Sequence, residues 1–194
     1  MLSKLINFTK LLNKFRSVER VLLVNEEERN ENDVEHSYYL AMLAWYVIST
    51  NKLDLNLDLV IKYALVHDFV EVYAGDTYIY SLDKTHTGSK MQREKEAAEQ
   101  LEKNFPEFQD MHQLIEKYEK REDKESRFVY ALDKIQPVLN IYTDKGRTWK
   151  LHKVGLQMLI EHKKDKVAVS GEVEEYFKAL VELLRKEEKD LFND

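Results

Sequence analysis

The scarcity of chain breakers is the strongest constraint on this sequence. Its 194 residues include only 5 glycines and 2 prolines, Pro106 and Pro137. A turn-rich β-sandwich or barrel draws heavily on both residue types, so this composition disfavours such folds and favours helices. Apolar residues recur at helical spacing through most of the chain, and 43% hydrophobic against 34% charged content is incompatible with wholesale disorder. No linker, internal repeat or low-complexity tract divides the sequence. The expectation is one all-α domain over residues 1–194, a bundle of about seven or eight helices.

Composition also excludes classes of function. The net charge is −6, and a duplex nucleic acid partner needs a basic surface. With no cysteine, disulfides, thiolate nucleophiles, iron–sulfur clusters and cysteine zinc sites are all excluded. No apolar run approaches the roughly 20 residues of a membrane span. The first 24 residues carry helically spaced apolar residues rather than a continuous apolar stretch with a small-residue cleavage site. The expectation is a cytoplasmic protein with no membrane partner.

The spacing predicts helices over residues 2–15, 34–50, 57–73, 89–104, a segment opening at Pro106, 125–142, 149–162 and 172–191. Residues 18–29 read as a helix or an irregular segment, and 30–33 as turn and cap. Ser89 and Gln92 form a capping-box pattern, and Tyr78-Ile79-Tyr80 reads as loop or a brief strand within residues 78–88. Pro137 is expected to kink its helix. The stripes at Leu101/Phe105 and Trp149/Val154 pack either inside the domain or between subunits. The runs at residues 121–127 and at Lys163, Lys164 and Lys166 read as solvated charge, the latter suited to a helix end.

Three places break the apolar pattern. His67 and Asp68 follow a run of Val60, Ile61, Ala64, Leu65 and Val66, and Glu71 shares their helical side. His36 opens the apolar helix from residue 34, and Asp133 lies between Leu132 and Ile135. Charged groups in such places are costly unless they are paired or bind a metal. Two imidazoles and two carboxylates suit one divalent ion: manganese, cobalt, iron, nickel, zinc or magnesium. Water bound to such an ion ionises near neutral pH, and the ion neutralises phosphoryl charge, so the chemistry implied is metal-assisted hydrolysis. Taken singly, each residue has a plainer role: a hydrogen-bonded core histidine, an Asp133–Lys134 salt bridge, or a helix-surface Glu71.

Longer strings carry a family resemblance. The order His36, His67-Asp68, Asp133 resembles the HD-domain superfamily of metal-dependent phosphohydrolases. Residues 29–37, Arg-Asn-Glu-Asn-Asp-Val-Glu-His-Ser, and 64–76, Ala-Leu-Val-His-Asp-Phe-Val-Glu-Val-Tyr-Ala-Gly-Asp, resemble two motifs of its bacterial 5′-deoxyribonucleotidase branch. Ala131-Leu132-Asp133-Lys134 is similar to a third, and the likeness spans about residues 20–142. The resemblance implies His36, His67, Asp68 and Asp133 as metal ligands and Glu71 as the residue that orients water or takes its proton. It places Asp76 at the edge of the site, handling water or the leaving 5′ oxygen, and Arg20 on the phosphate. It further implies a nucleoside 5′-monophosphate substrate and a homodimer. The branch has a tryptophan after the phosphate arginine that crowds the sugar's 2′ position, whereas Val21 stands here, so the choice between deoxyribose and ribose stays open.

Other readings weighed are an HD-type hydrolase of an alarmone, cyclic dinucleotide or nucleoside triphosphate, and a non-catalytic helical interaction module. Asp76 can alternatively cap the turn after Gly75, and Arg20 can pair with Glu19 or residues 26–28. His86, His112, His152 and His162 read as non-ligands. Tyr38, Tyr39 and Tyr73 are near enough in sequence to the candidate ligands to line a pocket.

Overall fold

A computed structural model describes residues 1–78, 80 and 88–193. Among them are eight helices of seven residues or more, short helical turns, and one two-stranded hairpin. The all-α expectation holds.

Helix α1 (Leu2–Phe15) turns Leu11 and Phe15 inward. Residues 18–29 are neither helical nor wholly irregular. Strand β1 (Glu19–Leu23) pairs antiparallel with β2 (Asn30–Asn32), with an irregular register between Glu19 and Leu23. The run Val21-Leu22-Leu23-Val24 is too short for periodicity to separate strand from helix, and its β-branched ends fit a pleated edge. The Leu23 amide donates to Thr148 Oγ1 at 3.2 Å, which docks the hairpin on the far end of the chain.

Asn32 then caps α2 (Asp33–Asn51) in a reciprocal box with Glu35. Helix α3 spans Leu57–Val66, shorter than expected. After the His67 amide bonds to Tyr63 O, the ladder tightens to three-residue steps, Phe69 to Val66 and Glu71 to Asp68, before the single turn of α4 (Glu71–Ala74). Side-chain periodicity does not register this tightening, because apolar residues continue through it.

Helix α5 (Lys90–Asn104) begins without the expected side-chain cap, since Ser89 Oγ accepts from Arg93 Nη1. Pro106 lies in a turn ahead of α6 (Gln109–Lys120) rather than in its first turn. The brief strand read at Tyr78–Tyr80 includes Ile79, which falls outside the described residues. Helix α7 (Lys124–Thr143) is capped by Asp123 and contains Pro137.

Two expected helices each divide. The segment 149–162 becomes α8 (Arg147–His152) and α9 (Leu156–Val167), separated where Lys153 turns left-handed at φ 54° and Gly155 is extended. The segment 172–191 becomes α10 (Gly171–Lys186) and α11 (Glu188–Leu191).

Helix α7 runs through the main core, packed against α2, α3, α9 and α10. That core is built on Leu40, Tyr63, Phe128, Leu132, Leu159 and Leu184. A smaller cluster joins Leu11, Phe15, Phe69, Leu101 and Met111, and Val66 packs against both. Leu101, Phe105, Trp149 and Val154 are all buried within the domain, which settles their role as core.

Gly146 ties the C-terminal turn to the rest. Its φ is 74°, and a Cβ there would sit 1.9 Å from Leu191 O. Gly146→Ala combines left-handed strain with a backbone clash, so it is expected to cost about 2 kcal/mol or more. Thermal unfolding followed by circular dichroism should show a melting temperature lower by about 4 °C or more.

Candidate functional site

The residues that broke the apolar pattern meet. The capping box places His36 in the first turns of α2, the tightened turn after α3 presents His67 and Asp68, and Asp133 projects from mid-α7. One ligand-type atom from each lies within 4.8 Å of the others. His36 Nε2 is 3.0 Å from Asp133 Oδ1 and 3.7 Å from Asp68 Oδ2; His67 Nε2 is 3.0 Å from Asp68 Oδ2 and 3.8 Å from Asp133 Oδ1. Both histidine side chains are fully buried.

The proton positions are compatible with a cation here. His67 Nδ1 lies 3.0 Å from Ala64 O, and a carbonyl only accepts, so Nδ1 carries the hydrogen. The neutral ring then aims the Nε2 lone pair at the Asp68 carboxylate, and Nε2 is buried without a hydrogen-bond partner. Two electron-rich atoms 3.0 Å apart need a positive charge between them. A proton supplies it in part: burial opposes protonation of His67, but Asp68 and Asp133 outweigh it and raise its pKa. Burial, then Arg20, lowers His36 to about 4, so it stays neutral. Asp68 is held well below the usual carboxylate range, His67 and Arg20 overcoming its burial, and Asp133 likewise by Lys134 and His36. Two imidazole nitrogens, each able to bind in its neutral form, and two ionised carboxylates fit a divalent cation of nitrogen and oxygen preference.

A second group of carboxylates adjoins the first. Asp33, Glu71 and Asp76 offer oxygens within 4.8 Å of one another. The Arg20 guanidinium lies between the two groups, its Nη1 donating to Asp68 Oδ2 at 2.9 Å and Asp33 Oδ1 at 3.2 Å, with Asp76 Oδ1 at 3.8 Å. Its Nε faces Glu31 Oε2 at 3.6 Å. Arg20 therefore pairs with Glu31, Asp33, Asp68 and Asp76, not with Glu19 or residues 26–28. Glu71 is 1% exposed; Lys90 Nζ approaches its Oε1 at 3.4 Å and its Oε2 has no partner. Burial and then Asp68 push the Glu71 carboxyl well up, and burial also raises Asp76. Glu31 and Asp33 are each pushed up to about 7, chiefly by burial. The Asp133–Lys134 contact is present at 2.5 Å, alongside the histidine contacts rather than instead of them.

The cleft beside this cluster is lined by Arg20, Val21, Asp68, Glu71, Asp76 and Asp133, and also by Tyr78, Tyr80, Trp149, His162, Lys163 and Lys166. Several of these lie outside the sequence expectations. Glu31 and Asp33 look like cap residues because they flank Asn32. Lys163 looks like a solvated helix-end charge, yet it is 5% exposed and lines the cleft. Its position in α9, between the buried Leu159 and Val167, was the available signal. Tyr38 and Tyr39 are exposed elsewhere, and Tyr73 lies under Lys14, so none of the three lines the cleft. His112 bonds to Phe105 O and His152 packs on Tyr78; His86 falls outside the described residues.

The chain is thus a helical bundle whose paired histidines and aspartates meet in a cluster compatible with a divalent cation. The chain belongs to the HD domain family, whose profile matches residues 12–174. It is 33% identical over 138 residues to the mouse protein named 5′-deoxynucleotidase HDDC2, covering 70% of this chain and 67% of that one. The human protein of the same name is also 33% identical, over 70% of this chain and 65% of its own length. This chain thus spans about two thirds of those relatives. Among solved structures, a predicted metal-dependent phosphohydrolase from Magnetospirillum magnetotacticum aligns with a TM-score of 0.81 and 30% identity, covering 95% of this chain and 93% of that one. No described helix is long and apolar enough to cross a membrane.

Proposed function

We propose that this chain, acting in the cytoplasm as one domain, is a metal-dependent phosphohydrolase that removes phosphate from nucleoside 5′-monophosphates. The observation that carries this reading is the convergence of His36, His67, Asp68 and Asp133, two of which, Asp68 and Asp133, line a cleft. Those four residues would hold the divalent cation, which supplies Lewis acidity toward water and a phosphoryl oxygen. Glu71 presents the unpartnered Oε2 to hold or pass a proton, while Lys90 steadies its other oxygen. Asp76, which shares Arg20 Nη1 with Asp68, would handle the water or the leaving 5′ oxygen. Arg20 orders the carboxylates and offers its remaining guanidinium edge to phosphate.

Val21 lines the cleft. With valine where the resembling branch carries tryptophan, the sugar's 2′ side is open. The expected result of a phosphate-release screen is hydrolysis of ribo- and deoxyribonucleoside 5′-monophosphates with kcat/KM values within about tenfold of each other. The screen should include manganese, cobalt, magnesium, zinc, iron and nickel, since geometry and supply, not affinity order alone, select the metal. Absence of phosphate release from every monophosphate with every metal would refute the proposal.

We also propose a homodimer. Tyr38, Met42, Trp45 and Tyr46 stand exposed along α2, and Leu5, Ile6 and Leu12 along α1. These helices meet at a groove lined by Phe8, Leu12, Val34 and Tyr38. Apolar surface of this extent favours burial against a second copy. Sedimentation at micromolar concentration should give twice the 23.1 kDa chain mass, and a monomer would contradict it.

A further inference from the structure

We propose that Lys163 and Lys166 on α9 bind the phosphoryl oxygens of the substrate, forming an anion subsite in the cleft that Asp68 and Asp133 also line. This rests on the phosphohydrolase reading. It deepens that reading by assigning a phosphate monoester dianion, rather than a diester, to the cleft.

The basis is the pairing of the cleft's cations. Arg20 is bound to Asp33 and Asp68, Lys90 to Glu71 and Glu94, and Lys134 to Asp133. Lys163 and Lys166 differ. Lys163 Nζ donates to the Lys134 carbonyl at 2.7 Å, and Lys166 Nζ to His162 Nε2 at 2.7 Å. Among the described residues neither forms an ion pair with a carboxylate. Their three-residue spacing puts both on one side of α9, and both line the cleft. An ammonium as buried as Lys163 is costly without an anion, and here two such groups are neighbours.

Independent features agree. Among the described residues Tyr80 Oη is buried without a partner, and it lines the same cleft, a further donor for an anion. The cleft is also polarised. Burial, reinforced by Lys134, lowers the two amines to about 7 and about 8, while burial and neighbouring carboxylates raise Asp33. The carboxylates have Arg20 and Lys134, whereas the α9 amines have no carboxylate among the described residues. A phosphate dianion beside α9 supplies the missing anion. A diester, with one negative charge, leaves one lysine unmatched.

The test is calorimetric titration of inorganic phosphate into the parent, Lys163→Met and Lys166→Met, each with and without added manganese. Methionine keeps the length of the side chain and removes the charge. Each substitution is expected to weaken phosphate binding about tenfold, to raise KM for the monophosphate more than it lowers kcat, and to leave the melting temperature equal or higher. A purely structural lysine would lower the melting temperature and leave phosphate affinity unchanged. Lys166, only half-buried, keeps the test decisive should Lys163→Met fail to fold. Folded variants that bind phosphate as tightly as the parent would overturn the proposal. Lysine-dependent phosphate binding by a parent that hydrolyses no nucleotide would uphold the anion subsite and overturn the phosphohydrolase reading.

Discussion

His67→Ala is expected to leave the purified protein without stoichiometric metal and to lower phosphate release by about 10⁴-fold or more. His67 contributes one of the four converging atoms, and its Nδ1 bond to Ala64 O fixes which nitrogen faces the site. Alanine removes the lone pair and leaves Asp68 and Asp133 facing His36 alone. The helices should survive, because the ring sits in a turn after α3 has ended and the cores on either side are held by residues such as Tyr63 and Phe69. Far-ultraviolet circular dichroism, elemental analysis and a phosphate assay on one preparation would separate these effects. A His67→Ala protein that hydrolyses nucleotides at the parent rate would rule out the metal-centred reading.

Glu71→Gln is the second large effect, and its signature is the opposite. Metal content should match the parent, because Glu71 is not among the four converging residues. Turnover should fall by about 10²- to 10⁴-fold, the usual contribution of a positioned acid or base. The metal-free variant should be at least as stable as the parent. Glu71 is a buried carboxyl crowded by Asp68 and Asp76, so removing its charge relieves a cost. Full activity in a metal-loaded Glu71→Gln protein would exclude the proton-handling role. Lost metal would instead move Glu71 into the ligand set.

The candidate site was legible where a charged residue interrupted an apolar helix. His36 and Asp133 are flanked by residues that only make sense buried, so their burial followed from their neighbours, and the need for partners followed from their burial. Asp33 and Glu31 carried no such mark: beside a capping asparagine, an acid is expected on the surface. Lys163 was hidden for the same reason, since a lysine near a helix end reads as solvated. Its burial depends on α9 lying against α7, and the mark it leaves in α9 is that Lys163 stands four residues from both Leu159 and Val167. The long helices were legible, but the breaks at Lys153, Glu187 and His67 were not. Each is a local change of backbone angles; around His67 the apolar residues continue through it, and at Lys153 and Glu187 the apolar spacing resumes beyond it.

Local chemistry alone therefore determined that the chain is helical, that it builds a buried core, and that His36, His67 and Asp133 interrupt apolar helices, with Asp68 beside His67. Those properties depend on which residues follow one another within a few turns. Only the tertiary structure decided that Arg20 is held by carboxylates from four places in the chain, and that lysines 163 and 166 face the cleft without such partners. The physical reason is that the burial of a charge, and the identity of its partner, depend on helices remote in sequence being packed a few ångströms apart.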